Sequence, residues 1–553
     1  MKLKNRYRHL KRLQEIINTL TKFGLGQLVA TLGLQDRIGW FQGSGEINAE
    51  PVEMPTRIRM ALEELGPAFI KLGQLLSTRS DLIPASIVEQ LQILQDQVEG
   101  VTFEEILVIL EQELGRPWAE VFQELESQPL AAASIGQVHS GRLITGEDVV
   151  VKIQRPGVQK KIKVDLEILL DLAKLVENRT QWGRFYKVSD LAREFVVSIQ
   201  EETDYLVEGR NAEHIGGNFQ NRPEVKTPKV YWDFTSNKVL VMEKVSGLKV
   251  SDKEELQKAG IDCHLVAHRL ARAVFTMIYI DGIFHGDPHP GNILITPDHT
   301  VVFLDFGLVG RLDEILKDRL GSLALSIVRK DAQSIADQLI EIGQARSKVN
   351  RLLLGKSIAK LMYQYYELPL SRLKLGQIMQ EMLQMAYQYK IQIPSEITLL
   401  AKTLVTLEGI VHNLDDQISI IELAEPFAKR IILERYKPSK VKKRLIRHGL
   451  DIYNTGLALP KKINTILDKL EDGELVLGLH HRYFQDYMNQ LNSISNRLAF
   501  SIVIAALIIG SSLLARTQES YVLSRLPIAE IGYVVAVILG FSLVFSILRS
   551  RRF

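Results

Sequence analysis

The alternation of hydrophobic and polar residues divides the chain into a helical beginning, a short region of strands and a long helical remainder. From residue 1 to about residue 115, apolar residues recur every three or four positions, which is the spacing of amphipathic helices. Gln137 to Leu143 and Asp148 to Gln154 have the rhythm of strands instead. The turn residues Thr145-Gly146-Glu147 lie between them, so the pattern predicts a hairpin.

Shorter strand candidates and long helices follow this hairpin. Glu224 to Tyr231 and Lys238 to Met242 have strand character, and Leu256 to Ile280 has the period of one long helix. Two strand-like pieces flank a turn between Ile293 and Val302, and helical periodicity continues after about Leu312. The pattern predicts an α+β fold of two lobes, in which a small lobe with the strands precedes a larger helical lobe.

Two apolar segments stand out near the C-terminus. Leu498 to Ala515 and Ile531 to Leu548 each contain 18 residues without a charge. As helices they would each span about 27 Å, close to the roughly 30 Å hydrocarbon core of a bilayer. Arg497 precedes the first segment and Arg549 follows the second, which predicts a transmembrane hairpin with both ends in the cytoplasm. A pair of buried core helices is the alternative. Small residues would let the two helices approach closely: Gly510, Ser511 and Ser512.

The composition excludes several classes of protein. Of the 553 residues, 46% are hydrophobic and 24% are charged, which excludes a mostly disordered chain, a collagen-like repeat and a pure coiled coil. The net charge of +3 gives no argument for nucleic-acid binding. The single cysteine, Cys263, excludes an intramolecular disulfide and a zinc site built from cysteines, and it favours a reducing compartment.

Two basic segments each allow two interpretations. The N-terminal segment carries six basic residues and is not followed by the apolar stretch of a secretory signal: Lys2, Lys4, Arg6, Arg8, Lys11 and Arg12. The second run lies between Lys437 and Arg447. Each segment is either an ordinary solvated helix face or a surface that binds anionic lipid headgroups.

The informative chemistry lies between Phe284 and Gly307. Asp287 and Asn292 are five positions apart in His-Gly-Asp-Pro-His-Pro-Gly-Asn, and Asp305 follows 13 positions later in Asp-Phe-Gly. Phosphoryl transfer needs a carboxylate near the acceptor hydroxyl, and an amide oxygen and a second carboxylate that hold Mg²⁺ against the phosphates. Protein kinases place these groups in this order and spacing. We therefore expect Asp287 to be the base or water-positioning carboxylate, and Asn292 and Asp305 to be Mg²⁺ ligands.

A kinase-like site also needs a lysine on a strand that contacts the nucleotide phosphates. Lys152 follows three valines and precedes an isoleucine, and a charge among apolar residues needs a partner. Asp190 to Ile215 is predicted to form one acidic helix, and we expect Glu208 on it to pair with Lys152. The 56 positions between these two residues predict an inserted element. A merely solvated acidic face is the alternative interpretation of this helix.

The segment that would cover the phosphates is rich in alanine. No glycine-rich loop precedes Lys152, and Gly355-Lys356-Ser357 lacks the rest of a Walker A motif. Alanine restricts positive φ, so we expect the segment from Ala131 to hold phosphates differently from a glycine-rich loop. Ser134, Gly136 and backbone amides remain as candidate donors.

Together these residues resemble the UbiB/AarF family of atypical kinase-like proteins. Three further stretches agree with that family: Lys71-Leu72-Gly73-Gln74, Ala131 to Ser134, and Glu202-Thr203-Asp204 followed by Glu208 and Asn211. The resemblance covers about Ala61 to Gly409. It implies a bilobal protein-kinase-like fold that binds ATP and Mg²⁺, a helical N-terminal extension over the pocket, and a link to isoprenoid quinones or other membrane lipids.

The resemblance also implies roles for individual residues. The expected ATP site includes the alanine segment, the strand lysine and a hinge: Ala131, Ala132, Ala133, Ser134, Gly136, Val138, Lys152, Met242, Glu243 and Val245. On the extension, Lys71, Gln74 and Thr78 fall on one polar helix stripe, and we expect Lys71 to meet Glu202 or Asp204. A solvated stripe is the alternative. Apart from the resemblance, two loop histidines are expected to organise the catalytic loop by hydrogen bonds, with metal ligation as the alternative: His285 and His289.

We expect four regions: a helical extension over 1–115, a strand-containing lobe over 116–250, a helical lobe with its extension over 251–480, and a transmembrane hairpin over 497–553. The resemblance implies a membrane-anchored ATPase, or a lipid or small-molecule kinase, that supports prenylquinone biosynthesis or lipid handling from the cytoplasmic side. The expected partners are the membrane, its lipids or prenylquinone intermediates, and quinone-biosynthesis enzymes, without nucleic acid. A protein serine/threonine kinase and a nucleotide-gated scaffold of a membrane complex are the alternatives.

Overall fold

The chain folds into two compact units, Met1–Arg444 and Leu445–Phe553. The computed structural model describes residues 2–33, 52–94, 100–345, 349–366, 375–435, 484–516 and 528–550. The second basic run, at 437–447, and the terminal residues 551–553 lie outside the described residues. The two units are therefore considered one at a time.

The first unit begins with helices, as the apolar spacing predicted. They are α1 (Lys2–Lys22), α2 (Gly26–Thr31), α3 (Met54–Leu65), α4 (Pro67–Ser77), α5 (Ala85–Leu91) and α6 (Phe103–Leu114). Gly66 separates α3 from α4, because its φ of 95° ends the first helix. Pro67 then begins α4, where the missing N–H of proline costs nothing.

Strands follow in two groups that belong to different lobes. The described strands are β1 (Phe122–Leu125), β2 (Ala131–Ala132), β3 (Gly136–Leu143), β4 (Asp148–Gln154), β5 (Val225–Lys226), β6 (Val239–Glu243), β7 (Leu248–Lys249), β8 (Ile283–His285), β9 (Ile293–Ile295), β10 (Val301–Phe303), β11 (Val309–Arg311), β12 (Gln344–Ala345) and β13 (Ile391–Gln392). The small lobe is an antiparallel sheet in the order β1-β3-β4-β6, with β2 paired to β3. The predicted hairpin is thus confirmed as β3 and β4.

The strand predicted from Glu224 to Tyr231 is shorter than expected. The strand that forms there is β5, which pairs in parallel with β10 of the larger lobe in a sheet ordered β5-β10-β9-β7. Val230 makes only an isolated antiparallel bridge with Met242 of β6. Pro228 follows β5 closely, and proline lacks the N–H that a longer ladder would need.

The inserted element predicted between Lys152 and Glu208 is helical. It consists of α7 (Val158–Arg179), α8 (Gln181–Tyr186) and α9 (Val188–Glu202), and α10 (Tyr205–Asn218) follows. The prediction of a single helix from Asp190 to Ile215 is wrong. Asp204 interrupts it with φ −112° and ψ 100°, and its carboxylate accepts a hydrogen bond from Leu206 N. Asp204 is therefore the N-cap of α10.

The larger lobe is mainly helical. Its helices are α11 (Lys253–Lys258), α12 (Cys263–Thr276), α13 (Glu314–Val328), α14 (Ala332–Ile342), α15 (Arg351–Tyr366), α16 (Leu375–Gln388), α17 (Ser395–Leu414) and α18 (Ile420–Arg435). The prediction of one helix from Leu256 to Ile280 is wrong. Gly260, at a φ of 74°, follows α11, and Asp262 caps α12 by accepting from His264 N and Leu265 N.

The basic N-terminal helix packs on protein. Arg12 Nε lies 2.6 Å from Asp165 Oδ1 of α7, and Asp165 is 1% exposed. Three apolar residues of α1 are buried in the same cluster as residues of α3, α4 and α7: Leu13, Ile16 and Ile17. This apolar face of α1 is therefore not available to a lipid surface, and Arg12 is not merely solvated.

The second unit contains α19 (Phe484–Arg516) and α20 (Ile528–Ser550), which pack against each other. Their close approach is at Ser511 and Gly532, where an added Cβ on Gly532 would lie 2.0 Å from Ser511 Oγ. At Gly510, by contrast, an added Cβ would meet no neighbouring atom within 4 Å among the described residues, so the expected close approach is not at this position. Ile494–Leu513 of α19 is long and apolar enough to cross a bilayer; α17 passes the same test but is 56% buried inside the first unit.

Candidate active site

Lys152 lies on β4, on the face of the small-lobe sheet that is turned toward α10. Its apolar neighbours are buried on the opposite face, because successive strand residues alternate sides: Val149, Val151 and Ile153. The Lys152 ammonium donates a hydrogen bond to Glu208 Oε1 and lies 3.3 Å from Asp305 Oδ2. The predicted pairing of Lys152 with Glu208 is therefore present, and Asp305 joins it.

The helix α10 is hydrogen-bonded to the Asp-Phe-Gly segment. Glu208 is 6% exposed, and its Oε1 also accepts from Phe306 N at 3.4 Å. One turn later Asn211 donates to Phe306 O at 3.1 Å, and Arg311 donates to Asn211 Oδ1 at 2.9 Å. These bonds hold the strand lysine, α10 and the Asp-Phe-Gly segment in one arrangement.

Lys152 and Asp305 each stabilise the charged form of the other. Burial disfavours the charge on Lys152, but the carboxylates of Asp305 and Glu208 outweigh burial and raise the lysine pKa. Loss of solvent around Asp305 also disfavours its negative charge. The Lys152 ammonium and the Gly307 N–H, which donates to Asp305 at 2.9 Å, outweigh this effect and lower the pKa of Asp305 to about 2. The Asp305 side chain is 47% exposed, and its lowered pKa means that it is ionised at neutral pH.

The catalytic loop is shaped by its histidines, as predicted. His285 is 2% exposed, and burial lowers its pKa, so the neutral ring accepts a hydrogen bond from Asp287 N at 3.2 Å through Nδ1. His289 accepts from Gly291 N in the same way, also at 3.2 Å. These local turns present the Asp287 carboxylate, which is 40% exposed.

Asn292 and Asp305 lie at the same end of the β9–β10 hairpin. Ile293 is directly opposite Phe303 in the register, and Leu304 N donates to Asn292 O at 3.0 Å. The two residues expected to hold Mg²⁺ therefore flank one pair of strand ends. Among the described residues there is no cluster of three or more His, Cys, Asp or Glu side chains that could hold a metal alone.

An ion pair joins the helical extension to the site. Lys71 Nζ of α4 lies 2.5 Å from Glu202 Oε1 at the end of α9. Glu202 also stands beside the Asp-Phe-Gly segment, since its Cγ would be 3.8 Å from a Cβ added to Gly307. The expectation that Lys71 meets an acidic residue is confirmed for Glu202, whereas Asp204 caps α10.

The other members of the α4 stripe make local contacts. Gln74 Nε2 donates to Leu94 O at 3.3 Å, which ties α4 to the segment after α5. Thr78, the residue directly after α4, donates through Oγ1 to Leu75 O of that helix at 2.7 Å. Of the three stripe residues, Lys71 is the one that the fold brings to the acidic residues.

The alanine-rich segment forms a tight hairpin with β3. Ala131 pairs with Val138 and Ala132 with Gln137, and Ala133 N donates to the Gly136 carbonyl at 2.8 Å. Two buried residues form the tip of this hairpin: Ser134 and Ile135. Ile135 packs in a cluster with Ala68 of α4 and residues of α7 and α9, so the tip is held by the extension and the insertion.

Gly136 is required for packing. A Cβ at this position would lie 2.4 Å from the Tyr205 hydroxyl and 2.6 Å from the Ile153 carbonyl oxygen. The start of β3 can therefore lie against β4 and α10 only if residue 136 has no side chain.

The predicted hinge lies where β6 leaves the sheet. Met242 is buried, and Glu243 N donates to Lys229 O at 2.8 Å. The Glu243 carboxylate lies 2.5 Å from Lys226 Nζ on β5. Val245, two residues beyond β6, is half-buried. The side chain of Glu243 is thus engaged with the larger lobe's sheet.

The sequence interpretation missed Lys402. Its Nζ lies 3.1 Å from Asp287 Oδ1, although 115 positions separate the two residues. No local signal marks Lys402, which is one of several polar residues along the apolar helix α17. The resemblance included Asn211 without a role, and its position one turn after Glu208 was the available signal.

The arrangement of strand lysine, helix glutamate, catalytic loop and Asp-Phe-Gly defines an α+β kinase-like fold, and such a domain implies ATP binding. The model of the ABC1 atypical kinase-like domain matches residues 93–339. Models of the UbiB helical domain and of the ABC1/UbiB kinase-like C-terminal domain match residues 358–419 and 482–549. The chain belongs to the ABC1/UbiB family of atypical kinase-like proteins.

Individual proteins show the same likeness. Uncharacterized protein sll1770 of Synechocystis sp. is 34% identical over 83% of this chain and 79% of its own length. A Pseudomonas putida protein named probable protein kinase UbiB is 35% identical over 71% of this chain and 74% of its own length. A solved structure of Rv3197 with erythromycin, from Mycobacterium tuberculosis, has 23% identity and a TM-score of 0.46, covering 66% of this chain and 93% of that one.

Proposed function

We propose that this protein is a membrane-anchored, Mg²⁺-dependent ATPase or lipid or small-molecule phosphotransferase that supports prenylquinone biosynthesis. Lys152 binds the nucleotide phosphates, and Glu208 holds that lysine in position. The alanine segment and the strand exit at Met242 to Val245 enclose the nucleotide. Asp287 accepts the proton of an acceptor hydroxyl or orients a water molecule.

The residues at the β9–β10 hairpin suit Mg²⁺. This ion prefers hard oxygen ligands and commonly uses one or two carboxylates together with substrate phosphates. Asp305 supplies an ionised carboxylate, since its pKa is lowered to about 2, and Asn292 supplies an amide oxygen. When bound, the ion would neutralise charge on the phosphates.

The ion pair of Lys71 and Glu202 is the observation that favours a small phosphoryl acceptor over a protein. It places a helix of the N-terminal extension beside the Asp-Phe-Gly segment. An extended protein substrate needs open surface around a kinase's catalytic groups, whereas water or a small acceptor needs only a narrow path. This contact favours hydrolysis or transfer to a small molecule over transfer to a protein.

A lipid acceptor agrees with the apolar helices of the second unit. The exposed residues of α19 include Leu498, Ile502 and Ile509, and those of α20 include Val534 and Phe541. A water-soluble protein rarely exposes so much continuous apolar surface, whereas a bilayer covers it. We propose that α19 and α20 anchor the ATP site to the membrane whose lipids supply the acceptor.

The test uses the full chain, purified in mild detergent and supplied with Mg·ATP. Phosphate release is measured with and without prenylphenol and quinone-like lipids, and labelled phosphate is traced into lipid and into protein. We expect lipid-stimulated phosphate release, or labelled lipid, that Asp287→Asn abolishes. Stoichiometric labelling of an added protein would favour the serine/threonine kinase instead. Unchanged release by Asp287→Asn would overturn the site assignment.

The anchoring is tested by deleting residues 497–553. We expect the shortened chain to leave the membrane fraction, because the apolar face of α1 is covered by protein. A matched variant carries two arginines in place of Ile502 and Ile509 on α19, since a charged residue in a membrane span costs roughly 2.5–3.5 kcal/mol. Membrane retention of both proteins would contradict the proposed hairpin.

A further inference from the structure

One face of α17 lies along the catalytic loop. Leu399, Lys402 and Thr403 share this face, because residues three and four positions apart are neighbours on a helix. Thr403 Oγ1 donates to His285 O at 3.2 Å and lies 3.3 Å from Gly286 O. A Cβ added to Gly286 would be 2.9 Å from Leu399 Cδ2. The helix therefore holds the backbone just before Asp287 from one side.

Lys402 presents the charge on this face. Its Nζ lies 3.1 Å from Asp287 Oδ1, and the two side chains are 33% and 40% exposed. Its neighbours in sequence, Ala401 and Thr403, are buried, so the backbone of this helical turn is fixed in the lobe. Lys402 thus contacts the Asp287 carboxylate from a backbone that is fixed in place.

Asp287 has a specific need for such a cation. A nucleotide in the cleft adds several negative charges near Asp287 and Asp305, and like charges repel over these distances. Lys152 forms ion pairs with Glu208 and Asp305. In the part of the chain that the structure describes, the cation paired with Asp287 is Lys402 of α17.

The start of α17 is held by a buried clamp. Arg79 and Asp81 form a bidentate pair at 2.9 Å for both bonds, with exposures of 2% and 0%. Arg79 also donates to Ile393 O at 3.1 Å, and Ile393 N donates to Asp81 Oδ2 at 3.1 Å. Ile393 lies two residues before α17, so the helical extension helps to set the position of Lys402.

We propose that Lys402 is a positioning residue for phosphoryl transfer, which orients the Asp287 carboxylate toward the acceptor and offsets its repulsion from the phosphates. This inference rests on the proposed function, because it concerns the step that Asp287 performs. Lys402 contributes little to folding, since an ion pair between partly exposed side chains stabilises a protein only weakly. We therefore expect substitution of Lys402 to lower kcat rather than stability.

The experiment compares wild type with Lys402→Ala, Lys402→Gln and Lys402→Arg in the full detergent-solubilised chain. Phosphate release gives kcat and KM, Mg·ADP titration gives nucleotide affinity, and melting temperature reports folding. We expect Lys402→Ala and Lys402→Gln to lower kcat about 10- to 100-fold, the size of effect that a misplaced catalytic group produces. Mg·ADP affinity and melting temperature stay within error, and Lys402→Arg recovers most of the lost kcat.

Lys360→Ala is the matched control, because Lys360 is an exposed lysine on α15 of the same lobe. Wild-type kcat in Lys402→Ala and Lys402→Gln would overturn the inference while the proposed function stands. A parallel loss of melting temperature and Mg·ADP affinity in all three variants would also overturn it, in favour of a structural role. No turnover by wild type under any condition would overturn the proposed function, and this inference with it.

Discussion

Lys71 of the N-terminal extension and Glu202 of the insertion form an ion pair at 2.5 Å, beside the segment that carries Asp305. The lysine side chain is 12% exposed and the glutamate 23% exposed. The pair joins two elements that protein kinases do not need for their two lobes. It is one of the contacts by which the extension reaches the nucleotide site, together with the packing of Ala68 against Ile135.

This pair should show energetic coupling. We expect Lys71→Ala and Glu202→Ala to destabilise the chain, and the double variant to cost less than the two single changes together, by about 0.5–3 kcal/mol. The free energy of unfolding, measured with urea in detergent, gives the coupling. Lys22→Ala and Glu64→Ala make a matched cycle on an exposed pair, and coupling of equal size in both cycles would mean that the site pair is only a surface contact.

Asp305→Asn should abolish Mg²⁺-dependent nucleotide binding. The substitution keeps the shape of the side chain but removes the ionised carboxylate that faces the cleft, and with it the charge that Mg²⁺ needs. The measurement is the rise in melting temperature on adding Mg·ADP, since a ligand that binds the folded state stabilises it. Asp416→Asn, at an exposed aspartate after α17, is the control. An equal rise in Asp305→Asn and wild type would contradict the assignment of Asp305.

Arg79→Ala should be among the most destabilising single changes in the first unit. It leaves Asp81 buried and charged without its partner, and breaking a buried pair typically costs about 3–5 kcal/mol. Arg193→Ala removes an arginine from an exposed pair with Asp190 and should cost at most about 1 kcal/mol. Urea unfolding of both variants checks the difference, and similar small losses would show that the clamp does not hold α17.

Gly136→Ala should destabilise the small lobe by about 1–3 kcal/mol, the usual cost of forcing atoms into a packed interior. The added methyl group would meet the Tyr205 hydroxyl and a backbone oxygen of β4. Gly217→Ala is the matched control, because an added Cβ there has no neighbour within 4 Å and α10 should gain about 0.5–1 kcal/mol. Wild-type stability in Gly136→Ala would show that the backbone adjusts freely at the alanine segment.

Helix boundaries were the weakest of the sequence predictions. The periodicity of Asp190 to Ile215 continues across Asp204, and the break depends on one side chain that bonds to Leu206 N. The same holds for Leu256 to Ile280, where Asp262 caps a second helix. Apolar spacing reports which face of an element is buried, whereas a cap ends the element without changing that spacing.

The chemistry of the nucleotide site could be read from residue order, because Asp287, Asn292 and Asp305 lie within one loop and one hairpin whose local geometry is nearly self-contained. The pairing of Lys152 with Glu208 could also be inferred, since a charge in an apolar strand requires a partner. The contact of Lys402 with Asp287 was decided by the tertiary structure alone, as was the choice of Glu202 over Asp204 as the partner of Lys71. Each contact joins residues more than 100 positions apart in the chain. The packing of α4 and α17 against the rest of the fold sets which side chains meet, and no local sequence pattern encodes that packing.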